Sequence, residues 1–204
     1  MIVCFDIGGV LVRICRTWEE GCIAADVSLR PFQEKPDHVE RRQTLLATLQ
    51  RGDIEDGDFH QRLSDLFEGI WSREEVARVD TAWLLDAYPG TLEVIRELDA
   101  NGVQTACLSN TSRGHWDSLL AYENVASLGS HHASHLLGLA KPDPEIYAEF
   151  ERLVGARPEE IVFFDDLEAN VESAAARGWD AVRIDHEGDT AKQMLDALRI
   201  RGLL

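Results

Sequence analysis

The chain opens on a short apolar run, Ile2-Val3-Cys4-Phe5, that stops at Asp6 and a Gly8-Gly9 pair. Strand formers closed by a polar residue and two glycines predict a buried strand and a tight turn. A run apolar at every position, rather than at alternate ones, belongs to a parallel sheet covered on both faces. The pattern then changes. From residue 14 to 85 apolar residues recur at helical spacing among many charges. Val39, Leu45, Leu46 and Leu49 suit one face of a helix over 38–50, and Phe59, Leu63, Leu66, Phe67 and Ile70 do so over 58–70. Ser72-Arg73-Glu74-Glu75 reads as a capping box opening a helix that carries Val76, Val79 and Trp83. This stretch predicts an inserted bundle of about four helices, with Trp18, Trp71 and Trp83 in its core.

After Pro89-Gly90 the pattern becomes repeated strand and helix. A helix over 90–100 ends at Asn101-Gly102, and Val103–Leu108 follows as a strand. A helix covers 113–121, and a weaker strand lies near 126–130. Asp143-Pro144 opens another helix, with Asp as N-cap and Pro at its first position. Ile161–Phe164 is a strand, 168–177 an Ala-rich helix closed by Gly178, and Ala181–Ile184 the last strand. An amphipathic helix carrying Ala191, Met194, Leu195 and Leu198 follows. Strands alternating with helices mean a parallel sheet with right-handed crossovers. The expected fold is α/β: a Rossmann-like three-layer core of about five parallel strands, residues 1–13 and 86–204, with a helical cap inserted at 14–85.

Composition adds limits to that picture. Apolar residues make up 45% of the 204, enough for a sizeable core. The net charge of −17 argues against a nucleic-acid partner and against an anionic membrane surface. It leaves room for a small anionic substrate, because one metal ion or lysine reverses the field inside a pocket. Cys4, Cys15, Cys22 and Cys107 form no C-x-x-C pair, so a reduced, cytoplasmic setting is expected. The first residues lack a basic segment and carry Asp6, unlike a signal peptide.

Ligands of parallel sheets bind beyond the carboxyl ends of the strands. There the sequence places Asp6, then Ser109-Asn110-Thr111, Lys141-Pro142-Asp143, and Asp165-Asp166. Three carboxylates this close repel one another without a cation. A hard dication such as Mg²⁺ suits them, with Asp6, the backbone carbonyl of Gly8 and Asp166 as ligands and Asp165 ligating directly or through water. Lys141, the Ser109 hydroxyl and the Asn110 amide can hold phosphoryl oxygens, and Asp6 can attack phosphorus to form an aspartyl-phosphate.

Four motifs in this order resemble the haloacid dehalogenase-like (HAD) hydrolase superfamily. They are Phe5-Asp6-Ile7-Gly8-Gly9-Val10-Leu11, Leu108-Ser109-Asn110, Lys141-Pro142-Asp143-Pro144, and Phe163-Phe164-Asp165-Asp166 followed by Asn170. A helical insert after the first motif resembles the small C1 cap of subfamily IA. The Ser-Asn-Thr and Lys-Pro-Asp-Pro forms resemble its glucose-1-phosphate phosphatase and epoxide-hydrolase N-terminal phosphatase branch. The resemblance implies a Mg²⁺-dependent phosphomonoester hydrolase with a small phosphorylated substrate. Asp6 would be nucleophile and metal ligand, Ser109 and Lys141 would bind the phosphoryl group, and Asp166 would bind Mg²⁺ with Asp165 beside it.

One departure matters. Many family phosphatases carry a second Asp two residues after the nucleophile, as general acid and base; here that position is Gly8. General acid–base help is commonly a factor of ~10²–10⁴. His60 of the insert and His115 after the second motif are the candidate substitutes. The same gap keeps two alternatives open: a phosphotransferase or mutase, and a catalytically weak fold that binds a phosphorylated ligand or a protein partner. Dehalogenase chemistry fits less well, because that group lacks the acidic pair of the fourth motif. A phosphonatase needs a cap lysine, and the insert offers only Lys35. Arg113 reads as solvated, and His131, His132 and His135 lack a fourth ligand for zinc.

Overall fold

The computed structural model describes the backbone of residues 1–204 and every side chain except that of Pro36. The first strand, β1, runs Ile2–Phe5, and β2 (Val12–Ile14) follows one turn later. Four helices come next: α1 (Trp18–Ala24), α2 (Pro36–Gln50), α3 (Asp56–Leu66) and α4 (Arg73–Thr81). The chain returns through β3 (Leu84–Ala87), α5 (Thr91–Ala100) and β4 (Gln104–Ser109). Then come α6 (Arg113–Leu120), α7 (Glu123–Ala126), β5 (Ser130–Ala133) and α8 (Ser134–Leu137). The last elements are α9 (Pro144–Val154), β6 (Ile161–Asp165), α10 (Glu168–Ala176), β7 (Asp180–Arg183) and α11 (Thr190–Ile200).

Five strands pair in the order β5-β4-β1-β6-β7, all parallel. The most apolar strand, β1, lies in the centre. Successive side chains of a strand face opposite sides. Val3 and Phe5 therefore join Cys107, Val162 and Phe164 in a layer under α5 and α11, with Phe5 and Phe164 stacked at 5.6 Å. Ile2 and Cys4 join Leu108, Ile161 and Phe163 in the opposite layer under α9 and α10. A third apolar cluster, built around Phe59, Phe67, Trp71 and Val79, draws its residues only from 18–83, with Trp18 and Trp83 packed at its edge.

The Ser72–Glu75 capping box forms as expected: the Ser72 hydroxyl accepts from the Glu75 N–H at 3.2 Å, and the Glu75 carboxylate from the Ser72 N–H at 2.9 Å. Asp143 stands at the N-cap of α9, but its carboxylate makes no capping bond. It pairs instead with Arg51, just after α2, at 2.6 Å. The strand expected near 126–130 lies further on, at Ser130–Ala133, because 123–126 closes into the short helix α7.

The pairing of β2 with β3 is an antiparallel ribbon that sequence reading does not predict. It straddles the expected limits at 13–14 and 85–86. The chain leaves for the four helices and returns from them through two adjacent strands. All four cysteines are buried and free. No helix is long and apolar enough to cross a membrane.

Candidate active site

Each of the four motifs ends at the same edge of the sheet. β1 delivers Asp6, β4 delivers Ser109, and β6 delivers Asp165 with Asp166 one residue beyond. Because β1 lies between β4 and β6, Asp6 falls in the middle. Asp6, Asp165 and Asp166 each present an oxygen within 4.8 Å of the others, and all three are buried.

Lys141 neutralises two of them. Its side chain is fully enclosed, with Nζ 2.7 Å from Asp165 Oδ2 and 3.1 Å from Asp6 Oδ1. Burial works against its charge, but Asp165 and Asp6 outweigh it and hold the ammonium well above the ordinary lysine range. A buried charge persists where it is paired and hydrogen-bonded. The backbone of Lys141 is gripped as well: the Asn110 side chain donates to its carbonyl at 2.7 Å and accepts from its N–H at 2.9 Å. Asn110 was expected to act through its backbone amide. Its side-chain clamp joins the second motif to the third and has no local sequence signal.

Asp165 is saturated. Lys141 donates to Oδ2, the Leu167 N–H to Oδ1, and the Asn170 amide to both at 3.0 Å. Asn170 is held in turn, its carbonyl accepting from the Tyr147 hydroxyl at 2.9 Å. Asp6 differs: its Oδ1 accepts from the Ile7 N–H at 2.7 Å, and its side chain keeps 11% exposure. The Asp6 carboxyl is pushed up to about 7: burial raises it most, Lys141 pulls it down, Asp165 and Asp166 push it up, and the Ile7 N–H lowers it slightly.

Asp166 points toward a group that sequence reading missed. Arg16, between β2 and α1, places Nη1 2.8 Å from Asp166 Oδ2. Nδ1 of His186 lies 3.9 Å from the same oxygen, and the Tyr88 hydroxyl donates to the His186 carbonyl at 2.8 Å. The Gly8-Gly9 turn passes beneath Arg16. Gly9 has φ +84, and a Cβ there would lie 2.3 Å from Arg16 Nη2 and 2.6 Å from Asp166 Oδ2. Among the described residues no N–H is bonded to the Gly8 carbonyl.

The two histidines considered as replacements for the absent acid converge elsewhere. His60 Nε2 lies 2.9 Å from Asp80 Oδ2, and His115 Nε2 lies 2.8 Å from the Asp80 carbonyl oxygen. They join α3 and α4 to α6. Arg113 is 74% exposed beside Glu55, as a solvated residue would be. His131, His132 and His135 each turn to a different partner, Val125, Ser130 and Thr111.

The donor set fits a hard dication: all-oxygen, acidic and enclosed. A five-stranded parallel sheet with this carboxylate cluster at its carboxyl edge defines the class. The haloacid dehalogenase-like hydrolase model matches residues 1–178, and the chain belongs to that family. It is 27% identical over 129 residues to Phosphatase MT3486 of Mycobacterium tuberculosis, covering 60% of this chain and 57% of that one. It is 29% identical over 150 residues to the glyceraldehyde 3-phosphate phosphatase of Methanopyrus kandleri, covering 61% of this chain and 62% of that one. The chain thus spans less than two thirds of the length of these two relatives. A HAD family enzyme from Bacteroides thetaiotaomicron, solved with magnesium and inorganic phosphate, shares the fold with a TM-score of 0.76 at 21% identity. That likeness covers 94% of this chain and 97% of the other.

Proposed function

We propose that the protein is a Mg²⁺-dependent phosphomonoester hydrolase acting on a small phosphorylated metabolite, with sugar phosphates the first class to test. The observation that carries this reading is the juxtaposition of a partly exposed Asp6 with a buried Lys141 3.1 Å away, inside a three-carboxylate cluster. Phosphatases among the relatives support it.

In this reading Asp6, the Gly8 carbonyl and Asp166 hold Mg²⁺, and Asp165, whose oxygens are already bonded, anchors Lys141. Bound Mg²⁺ supplies positive charge that draws Asp6 into its ionised form and offsets the charge of the phosphoryl oxygens. An Asp6 oxygen attacks phosphorus in line. The Asp6 O–P bond forms as the ester P–O bond breaks, and the leaving oxygen keeps that bond's electron pair and takes up a proton from solvent. Lys141, the Ser109 hydroxyl and the Asn110 N–H stabilise the equatorial oxygens, where charge stabilisation chiefly acts. Water then attacks phosphorus, releasing inorganic phosphate and the Asp6 carboxylate. The helical segment 14–85 acts as a cap that shields the site and sets specificity.

The deciding experiment is phosphate release from a panel of sugar phosphates and p-nitrophenyl phosphate, with Mg²⁺, with EDTA, and with Asp6→Asn. Release that requires both Mg²⁺ and Asp6 is expected. Equal release by Asp6→Asn defeats the reading.

A further inference from the structure

Arg16 is the one cation within hydrogen-bond distance of Asp166 among the described residues, and its situation is the reverse of that of Lys141. Lys141 is sealed under the sheet edge and bonded to two carboxylates. Arg16 stands on the segment joining β2 to α1, with 29% of its side chain exposed, and holds one carboxylate that is 3% exposed. Its guanidinium closes Asp166 from above while the Gly9 turn, with no side chain, makes room for it from below. A divalent cation binding Asp166 through Oδ2 would compete with the guanidinium for that oxygen, which Arg16 Nη1 occupies at 2.8 Å. Arg16 has somewhere to go and Lys141 does not.

From this geometry we propose that Arg16 is a displaceable counter-ion. It holds Asp166 in the metal-free protein, yields the carboxylate to the divalent cation, and then turns its fork to the phosphoryl group of the incoming substrate. The inference rests on the metal-dependent phosphatase reading and adds an order of events to it. Charge matching favours the hand-over: with the dication in place the Arg16 charge is surplus, and a phosphoryl dianion restores the balance. A planar guanidinium suits two phosphoryl oxygens at once.

The test uses the whole chain and two titrations that need no turnover. Calorimetry with MgCl₂ alone is expected to show Arg16→Ala binding Mg²⁺ about tenfold more tightly than wild type, the equivalent of one charge-assisted bond no longer in competition. With Mg²⁺ saturating, inorganic phosphate is expected to bind Arg16→Ala about tenfold more weakly. Opposite shifts are not what loss of packing alone produces. Arg16→Lys, which keeps the charge and loses the fork, should fall between in both titrations, and it serves where Arg16→Ala folds poorly. Mg²⁺ binding to the variants that is equal to or weaker than wild type overturns the hand-over, as does unchanged phosphate binding. Absence of Mg²⁺ binding to wild type as well overturns the metal-dependent reading and the hand-over together.

Discussion

Lys141 and Asp165 form an ion pair with no exposed surface: Nζ and Oδ2 lie 2.7 Å apart, and both side chains are fully enclosed. The pair ties the loop before α9 to the end of β6, and it aims the same ammonium at Asp6. Removing one member of such a pair strands the other charge. Lys141→Met should lower the unfolding free energy by about 3 kcal/mol, and Lys141→Met with Asp165→Asn by less than the sum of the single changes. Urea denaturation of the four proteins checks this. Strict additivity would mean that the pair is not coupled.

The raised Asp6 carboxyl makes the metal-free protein sensitive to pH. Its folded pKa of about 7 lies above that of an unfolded aspartate, so the folded state binds the extra proton. The stability that this contributes is full below the unfolded pKa and is lost as pH rises through about 7. In EDTA, Asp6→Asn should therefore stabilise the protein more at pH 8 than at pH 5, by roughly 2–3 kcal/mol. Thermal melts at the two pH values read the difference. A larger gain at pH 5 would reverse the assignment.

The Asn110 clamp gives a third expectation. Asn110→Ala removes two hydrogen bonds and leaves a partly buried N–H and carbonyl of Lys141 without them, at a cost of about 1–3 kcal/mol. If Lys141 holds the reacting group as proposed, kcat should fall more than KM rises. Steady-state kinetics beside a urea melt separates the two effects.

Gly9 and Gly102 make a matched pair. Both have positive φ, +84 and +72, but a Cβ at 102 meets nothing within 4 Å while one at 9 meets Arg16 and Asp166. Gly102→Ala should cost about 1–2 kcal/mol for its left-handed backbone. Gly9→Ala should cost more and should also alter Mg²⁺ binding. Equal costs for the two would show that Arg16 is not packed on the turn.

The parts of this fold that could be read from the chain are those where local pattern and burial agree. β1 is apolar throughout, β6 up to its final aspartate, and β4 over Ala106–Leu108, because both faces of a central strand are covered. Their polar ends, Asp6, Ser109 and Asp165, stand out against that background. β5 is Ser-His-His-Ala and carries little apolar signal, since it is an edge strand. β2 and β3 are three and four residues long and half exposed, so their pairing leaves no period to find. The contact between Arg16 and Asp166 joins residues 150 apart in the chain. It depends on where the ribbon turns, and no spacing along the sequence encodes it.

The β2–β3 ribbon also makes residues 15–83 a removable cassette. Ile14 and Leu84 face each other across it, so the chain could be closed there by a tight turn with every strand pairing of the main sheet intact. The cassette carries its own apolar cluster, and it meets the remainder through polar contacts such as Arg16 to Asp166, Arg51 to Asp143 and Asp56 to the Gly114 N–H. In the proposed reading, a lineage built this way could exchange the element that would meet the substrate while leaving untouched the strand ends that would carry the reaction. Its members can diverge in what they accept without relearning how to fold.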